Sequence, residues 1–347
     1  MSKVNLCAGP SKLPESVYKA LSEMIINYQD QGISLLSISH RDPVFIDIYH
    51  SIINHLRLLI SLPKEYEILL MAGGATAQFA AVPMNLNNKG KALYLDSGYW
   101  AKKAIKEAEN FIEIDKLSLD QTITDYSSYD YVHYTENETI DGTQFKSVPG
   151  VDIPLVCDMS SSFLSKPIEI EKYDLIYAGA QKNIGLPSIS VILIKKSLLA
   201  KTHRKSPIPQ VLDYALTAKT ESLNNTPNVI GWAGTELVLR DLWEKGGLQY
   251  IAKLNQQKSD LLYDYIDGSK LYCNTVPKDK RSQMNVVFQL NDPDLTDIFL
   301  AYSEKHNIYG LRGHRSVGGC RASLYNAVSL KDVECLISVM KDFENYA

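Results

Sequence analysis

The chain has 347 residues, 45% of them hydrophobic and 22% charged, with a formal net charge of −4. That length allows two domains with ample core, and the near-neutral charge without a long basic run argues against a nucleic-acid partner. Five scattered cysteines without a C-x-x-C pair, no signal-like start and no apolar run of membrane-spanning length point to a cytoplasmic protein with neither a disulfide framework nor a metal site.

From about residue 16 to about residue 244, apolar strand-like runs alternate with helical patterns. Glu67 to Met71 reads as a strand, followed by Gly73-Gly74 and a helix through Phe79. Lys91 to Leu95 is the next strand, with a helix from about Trp100 to Asn110. Tyr129 to Tyr134, Ile153 to Cys157, Leu175 to Ala178 and Val191 to Ile194 add strands. This alternation predicts an α/β fold with a mainly parallel sheet covered on both faces, whose ligands bind at the carboxyl ends of strands. Long helices follow from about Asn228 to Lys245 and from Gly247 to Tyr265. Beyond Gly268, strands over Asn285 to Leu290 and Arg321 to Tyr325 bracket a helix from about Leu295 to Lys305, and a last helix closes the chain. The expected division is a large domain over 16–245 and a smaller α+β domain built from 1–15 and 246–347.

Lys182 stands between two of these apolar runs, in Tyr177-Ala178-Gly179-Ala180-Gln181-Lys182-Asn183. A lysine at a tight junction of buried strands loses part of its hydration, which lowers its pKa and frees a neutral amine to attack an aldehyde. That is the chemistry of a lysine carrying pyridoxal 5′-phosphate (PLP). Alone, it is more often the pattern of a solvated lysine on a turn, and the rest of the chain reverses that reading. Asp158 ends the preceding strand, where a carboxylate would favour a protonated pyridine nitrogen, or simply cap a turn. Gly73-Gly74-Ala75-Thr76 opens a helix whose positive end suits a phosphate. Trp100, after a strand, could stack on a flat ring, though alone it reads as a core residue, and Thr139 in Asn137-Glu138-Thr139-Ile140-Asp141-Gly142 could donate to a ring oxygen or simply belong to a turn. His40-Arg41, His314-Arg315 and Arg321, three of them bringing a guanidinium fork, could gather a substrate with two anionic ends, although each pair taken singly reads as surface charge.

Together these segments resemble the phosphoserine aminotransferases, within the class V PLP-dependent aminotransferases. The likeness runs nearly end to end through Ala8-Gly9-Pro10, Ser39-His40-Arg41, Gly73-Gly74-Ala75-Thr76, Gly98-Tyr99-Trp100, Asn137 to Gly142, Tyr177 to Asn183, Asn225-Thr226-Pro227 and Gly313-His314-Arg315 to Arg321. The resemblance implies the aspartate-aminotransferase-like PLP fold and a homodimer with each active site at the subunit interface. It implies Lys182 as the Schiff-base lysine, Asp158 at the pyridine nitrogen, Trp100 on the ring and Thr139 at its phenolic oxygen. Ala75, Thr76 and Gln181 would hold the cofactor phosphate, with Asn225 and Thr226 reaching it from the neighbouring subunit. His40, Arg41, His314 and Arg315 would bind the substrate's phosphate or side-chain carboxylate, and Arg321 its α-carboxylate. Some members have an arginine where this chain has Thr76, and some a serine where Ala8 stands.

The activity so implied exchanges the amino group between glutamate and 3-phosphohydroxypyruvate in serine biosynthesis, and some relatives also act on phosphohydroxythreonine for vitamin B6. An alanine–glyoxylate or serine–pyruvate aminotransferase is the nearest alternative. A cysteine desulfurase would need a nucleophilic cysteine on a mobile loop, whereas Cys320 reads as a strand residue leading to Arg321. A non-enzymatic relative would be expected to lose Lys182 or Asp158, and both are present.

Overall fold

The computed structural model describes residues 3–119, 121, 123–202 and 207–346. Its central sheet has seven strands: β1 (Tyr66–Ala72), β2 (Lys91–Asp96), β3 (Glu113–Ser118), β4 (Val132–Thr135), β5 (Leu155–Asp158), β6 (Leu175–Gly179) and β7 (Ile189–Lys195). Their spatial order is β1-β7-β6-β5-β4-β2-β3. All neighbours run parallel except β7, which is antiparallel to both β1 and β6. The strands of the middle are apolar on both faces because both faces are covered, which is why they read as continuous apolar runs. Within β7, Val191 and Leu193 point to one apolar cluster and Ile192 and Ile194 to the other.

The first cluster packs the helices Glu15–Ile26, Pro43–Ile60 and Val229–Glu244 on one face, through Leu21, Phe45, Ile52, Trp232 and Leu239. The second packs the helices Ala75–Leu86 and Tyr99–Ala108 on the other, through Phe79, Val82, Leu86, Ala104 and Ile105. A third cluster gathers Val4 and Leu6 with Phe288, Phe299 and Phe343 of the C-terminal part. The helix Gly247–Gly268 contributes Leu248 and Ile251 to the first cluster and Leu262 and Ile266 to the third. No helix among the described residues is long and apolar enough to cross a membrane.

Several predicted bounds differ. The strand read over Tyr129 to Tyr134 is Val132–Thr135, and that over Arg321 to Tyr325 is Cys320–Ser323. The helix read through Phe79 runs on to Leu86 with Pro83 inside, where the burial of Phe79, Val82 and Leu86 outweighs the proline's cost. Strand β3 has no counterpart in the predicted elements. It lies at the sheet edge, and its outward Glu113 and Asp115 pair with Lys91 at 2.9 and 3.0 Å. Edge strands carry charge where central ones cannot, so the apolar run is missing.

Candidate active site

Three strand ends and one helix start meet at the carboxyl side of the sheet. Asp158 closes β5, and its register partners are Thr135 on β4 and Tyr177 on β6. Lys182 follows β6 in the turn that returns as β7. The Ala75–Leu86 helix starts after β1, with Gly73 at φ +89° making the turn and Gly74 at the N-cap with no capping side chain. The Ala77 N–H turns back to Gly74 O at 2.9 Å, and the Ala75 N–H lies beside Gly179 at the end of β6. The result is a cavity of about 500 Å3 whose lining includes Ala75, Thr76, Trp100, Thr139, Asp158, Gln181, Lys182, His314 and Arg321.

Burial sets the electrostatics. It pulls the Lys182 amine down to about 8; Asp158 and Glu138 pull it back up and Arg321 pushes it further down. The same desolvation raises Asp158, while Ser160, Lys182 and Tyr177 favour its carboxylate. The Ser160 N–H donates to Asp158 Oδ1 at 2.8 Å. A low proton affinity by itself does not identify the reactive lysine. Burial pulls Lys258 to about 7, yet its Nζ donates to the carbonyls of Leu324, Tyr325 and Val328 at 2.9, 2.9 and 2.8 Å. Three acceptors occupy all three protons of an ammonium, so Lys258 is a structural tie. The Lys182 Nζ instead stands in the cavity, 5.9 Å from the centre of the Trp100 ring.

Trp100 Nε1 donates to Thr139 Oγ1 at 2.9 Å, which leaves the hydroxyl proton of Thr139 free to donate elsewhere. Arg321 Nη1 donates to Thr139 O at 3.0 Å, placing the guanidinium on the cavity wall. His314 rests against Tyr99 with ring centres 5.0 Å apart, and burial, Arg321, Arg315 and Lys103 all lower its proton affinity.

Nine of the fourteen predicted residues thus share one cavity. The other five do not line it: His40 and Arg41 lie just before the helix Pro43–Ile60, Asn225 and Thr226 before Val229–Glu244, and Arg315 is exposed beside His314. Within one chain, then, the expected four-member His-Arg cluster is represented in the cavity by His314 alone. Pairing in sequence does not place both side chains: His314 turns inward while Arg315, next along the loop, turns out. The sequence reading also passed over Ser160 and Ser161, which line the cavity behind Asp158, and the triplet Ser160-Ser161-Ser162 was their available signal.

The residues fit PLP. The volume lies within the usual range of small-molecule sites, about 300–1,000 Å3. Gln181 Oε1 is buried without a hydrogen-bond partner among the described residues, as is Thr135 Oγ1. A Cβ on Gly179 would sit 2.6 Å from Gln181 Oε1 and 3.3 Å from Ala75 N, so the amide and the helix start border the same polar slot. Turning that amide over presents its NH2 there, beside the helix N–H groups, as an anion requires. A flat indole, a buried carboxylate and a lysine then surround the rest of the space.

Residues 4–336 match the profile of the class V aminotransferases. The chain is 45% identical to a phosphoserine aminotransferase of Haemophilus influenzae, over 99% of this chain and 98% of the relative. The solved phosphoserine aminotransferase from Bacillus circulans subsp. alkalophilus superposes with a TM-score of 0.94 at 37% identity, covering 99% of both chains. A PLP-bound phosphoserine aminotransferase from Trichomonas vaginalis gives 0.93 at 32% identity, over 98% of this chain and 99% of that one.

Proposed function

Because the chain belongs to the class V aminotransferases, and within them to the phosphoserine aminotransferases, we propose that it binds PLP at Lys182 and transfers the amino group of glutamate to 3-phosphohydroxypyruvate, giving O-phosphoserine and 2-oxoglutarate. The observation that carries this reading is the meeting of Lys182, Asp158, Trp100 and an open helix start in one cavity with Arg321 and His314. The reaction belongs to serine biosynthesis in the cytoplasm, and phosphohydroxythreonine is a second candidate substrate.

PLP when bound supplies an electron sink for the bond that breaks at the substrate's α-carbon. The chain supplies the rest. Lys182 Nζ, its pKa pulled down to about 8, takes the α-proton and returns it as general base and acid. Asp158 holds positive charge at the ring nitrogen. Trp100 would cover one face of the ring and exclude water from it. Ala75, Thr76 and Gln181 would hold the cofactor phosphate, and Thr139 would donate to the phenolic oxygen. Arg321 grips the α-carboxylate by its fork. His314 takes the distal anion, phosphate or carboxylate.

The five residues outside the cavity fit this reading if the protein is a homodimer. A second copy would bring Asn225 and Thr226 to the cofactor phosphate, while His40, Arg41 and Arg315 would join His314 at the distal anion. The large unit over 16–245 would then carry the cofactor, and the small unit of 1–15 and 246–347 would carry His314 and Arg321.

The test is a set of half-reactions. PLP-loaded protein is mixed separately with O-phospho-L-serine, L-glutamate, L-serine and L-alanine, and its visible absorption band is followed. Loss of the band with phosphoserine and glutamate only is the expected result. Conversion by serine or alanine but not phosphoserine would give an alanine–glyoxylate or serine–pyruvate type instead.

The pH dependence of loading has a definite sign. Below its pKa Lys182 is an ammonium and cannot attack the aldehyde; above it the amine is free. The rate at which cofactor-free protein captures PLP should therefore rise as pH climbs through about 8. An unperturbed lysine would place that rise near pH ~10.4. A rise only in that higher range would show that Lys182 is solvated.

A further inference from the structure

The segment Asn137 to Gly142 does more than present Thr139. Glu138, 1% exposed, reaches the start of the helix Tyr99–Ala108 across 38 residues of sequence. Its Oε2 accepts the Trp100 N–H at 2.9 Å and its Oε1 the Ala101 N–H at 2.9 Å. Asp141 Oδ2 accepts the Tyr99 N–H at 3.1 Å. The N-cap of this helix is Gly98, which has no side chain to offer its first turn. A Cβ there would lie 2.6 Å from Asp141 Oδ2 and 2.8 Å from Glu138 Cδ, so the glycine is what lets the two carboxylates approach. Three N–H groups that an α-helix leaves unpaired are thus capped from a distant loop, at the end where negative charge is favoured.

We propose that Glu138 is a positioning residue for Trp100, fixing the indole against the cofactor pocket through the helix start, while its neighbour Thr139 fixes the indole's edge. Trp100 is held at two separated points, its backbone N–H donating to Glu138 and its indole Nε1–H to Thr139. Thr139 O also accepts from Arg321, so one short loop sets both the ring-covering face and the arginine of the cavity. An ordinary cap would need none of this registration, since a serine or aspartate at the N-cap position does that work locally. The inference rests on the proposed stacking of Trp100 on PLP.

The experiment compares wild type with Glu138→Gln and Glu138→Ala in the full chain. The Gln variant keeps the volume but turns one acceptor into a donor facing an N–H. Trp100 emission is isolated by subtracting the Trp100→Phe spectrum and is read in cofactor-free protein, together with its quenching by acrylamide. Dichroism of the visible band and cofactor retention are read in loaded protein. Both variants should show red-shifted, more readily quenched Trp100 emission, and Glu138→Gln should weaken the dichroic band and retain PLP roughly tenfold less well, as expected for one lost charge-assisted hydrogen bond. A lower melting temperature with Trp100 emission and dichroism unchanged would mark a merely structural carboxylate and overturn the proposal. Should Glu138→Ala fail to fold, the near-isosteric Gln variant decides alone. If Trp100→Ala leaves the visible dichroism intact, the stacking reading fails, while the emission of cofactor-free protein still tests Glu138 independently.

Discussion

Lys182→Ala protein should fold as wild type does and lose amino transfer by at least about 10⁴-fold. The size follows from two losses at once: a positioned acid–base group, worth up to about 10⁴-fold, and the covalent anchor. Folding should be spared because the side chain holds no structural partner as Lys258 does. The local tie at this position is the Ser11 hydroxyl donating to the Lys182 backbone carbonyl, which alanine retains. Removing an amine whose charge burial disfavours also relieves desolvation. The Trp100, Asp158 and helix-start features remain, so PLP should still bind, without covalent attachment. Production of 2-oxoglutarate from glutamate under single-turnover conditions measures the first effect, and thermal melting the second. Activity within tenfold of wild type would return Lys182 to the status of a turn residue.

The strands that run through the middle of the sheet were legible because burial on both faces leaves an apolar run, as in Leu175–Gly179 and Ile189–Lys195. Direction was not: nothing in the Ile189–Lys195 run says that it is antiparallel to both neighbours. Glu113–Ser118 escaped notice because an edge strand alternates polar and apolar over a short span. Lys182 and Asp158 were readable because each falls where an apolar run stops, which in an α/β sheet is where ligands bind. Glu138 was not readable as a tie to Trp100, because its partners are backbone N–H groups that every sequence has, brought near only by the fold. His40, Arg41, Asn225 and Thr226 show a different limit. A motif states what chemistry a residue offers but not where the fold sets it, and in one chain these four stay outside the cavity, as the resemblance had implied for Asn225 and Thr226 alone.

Asp158→Asn is the sharper test of the electrostatics, because asparagine keeps the shape and discards the charge. Capping and turn positions tolerate the two residues almost equally, and Asn Oδ1 can still accept the Ser160 N–H. If Asp158 only shapes a turn, the variant should resemble wild type. If it holds charge at the ring nitrogen, kcat should fall by about 10²–10³-fold, the usual effect of removing one preorganised electrostatic contact from a site. A second readout separates charge from shape. Asp158 raises the proton affinity of Lys182, so removing its charge lets burial and Arg321 lower that affinity further. The rise in PLP capture with pH should then move to lower pH in Asp158→Asn than in wild type, even as turnover collapses. A misshapen site would slow capture at every pH without moving the midpoint. Retention of more than about a tenth of wild-type kcat, with an unmoved midpoint, would remove Asp158 from the chemistry and leave it as a strand-end turn residue.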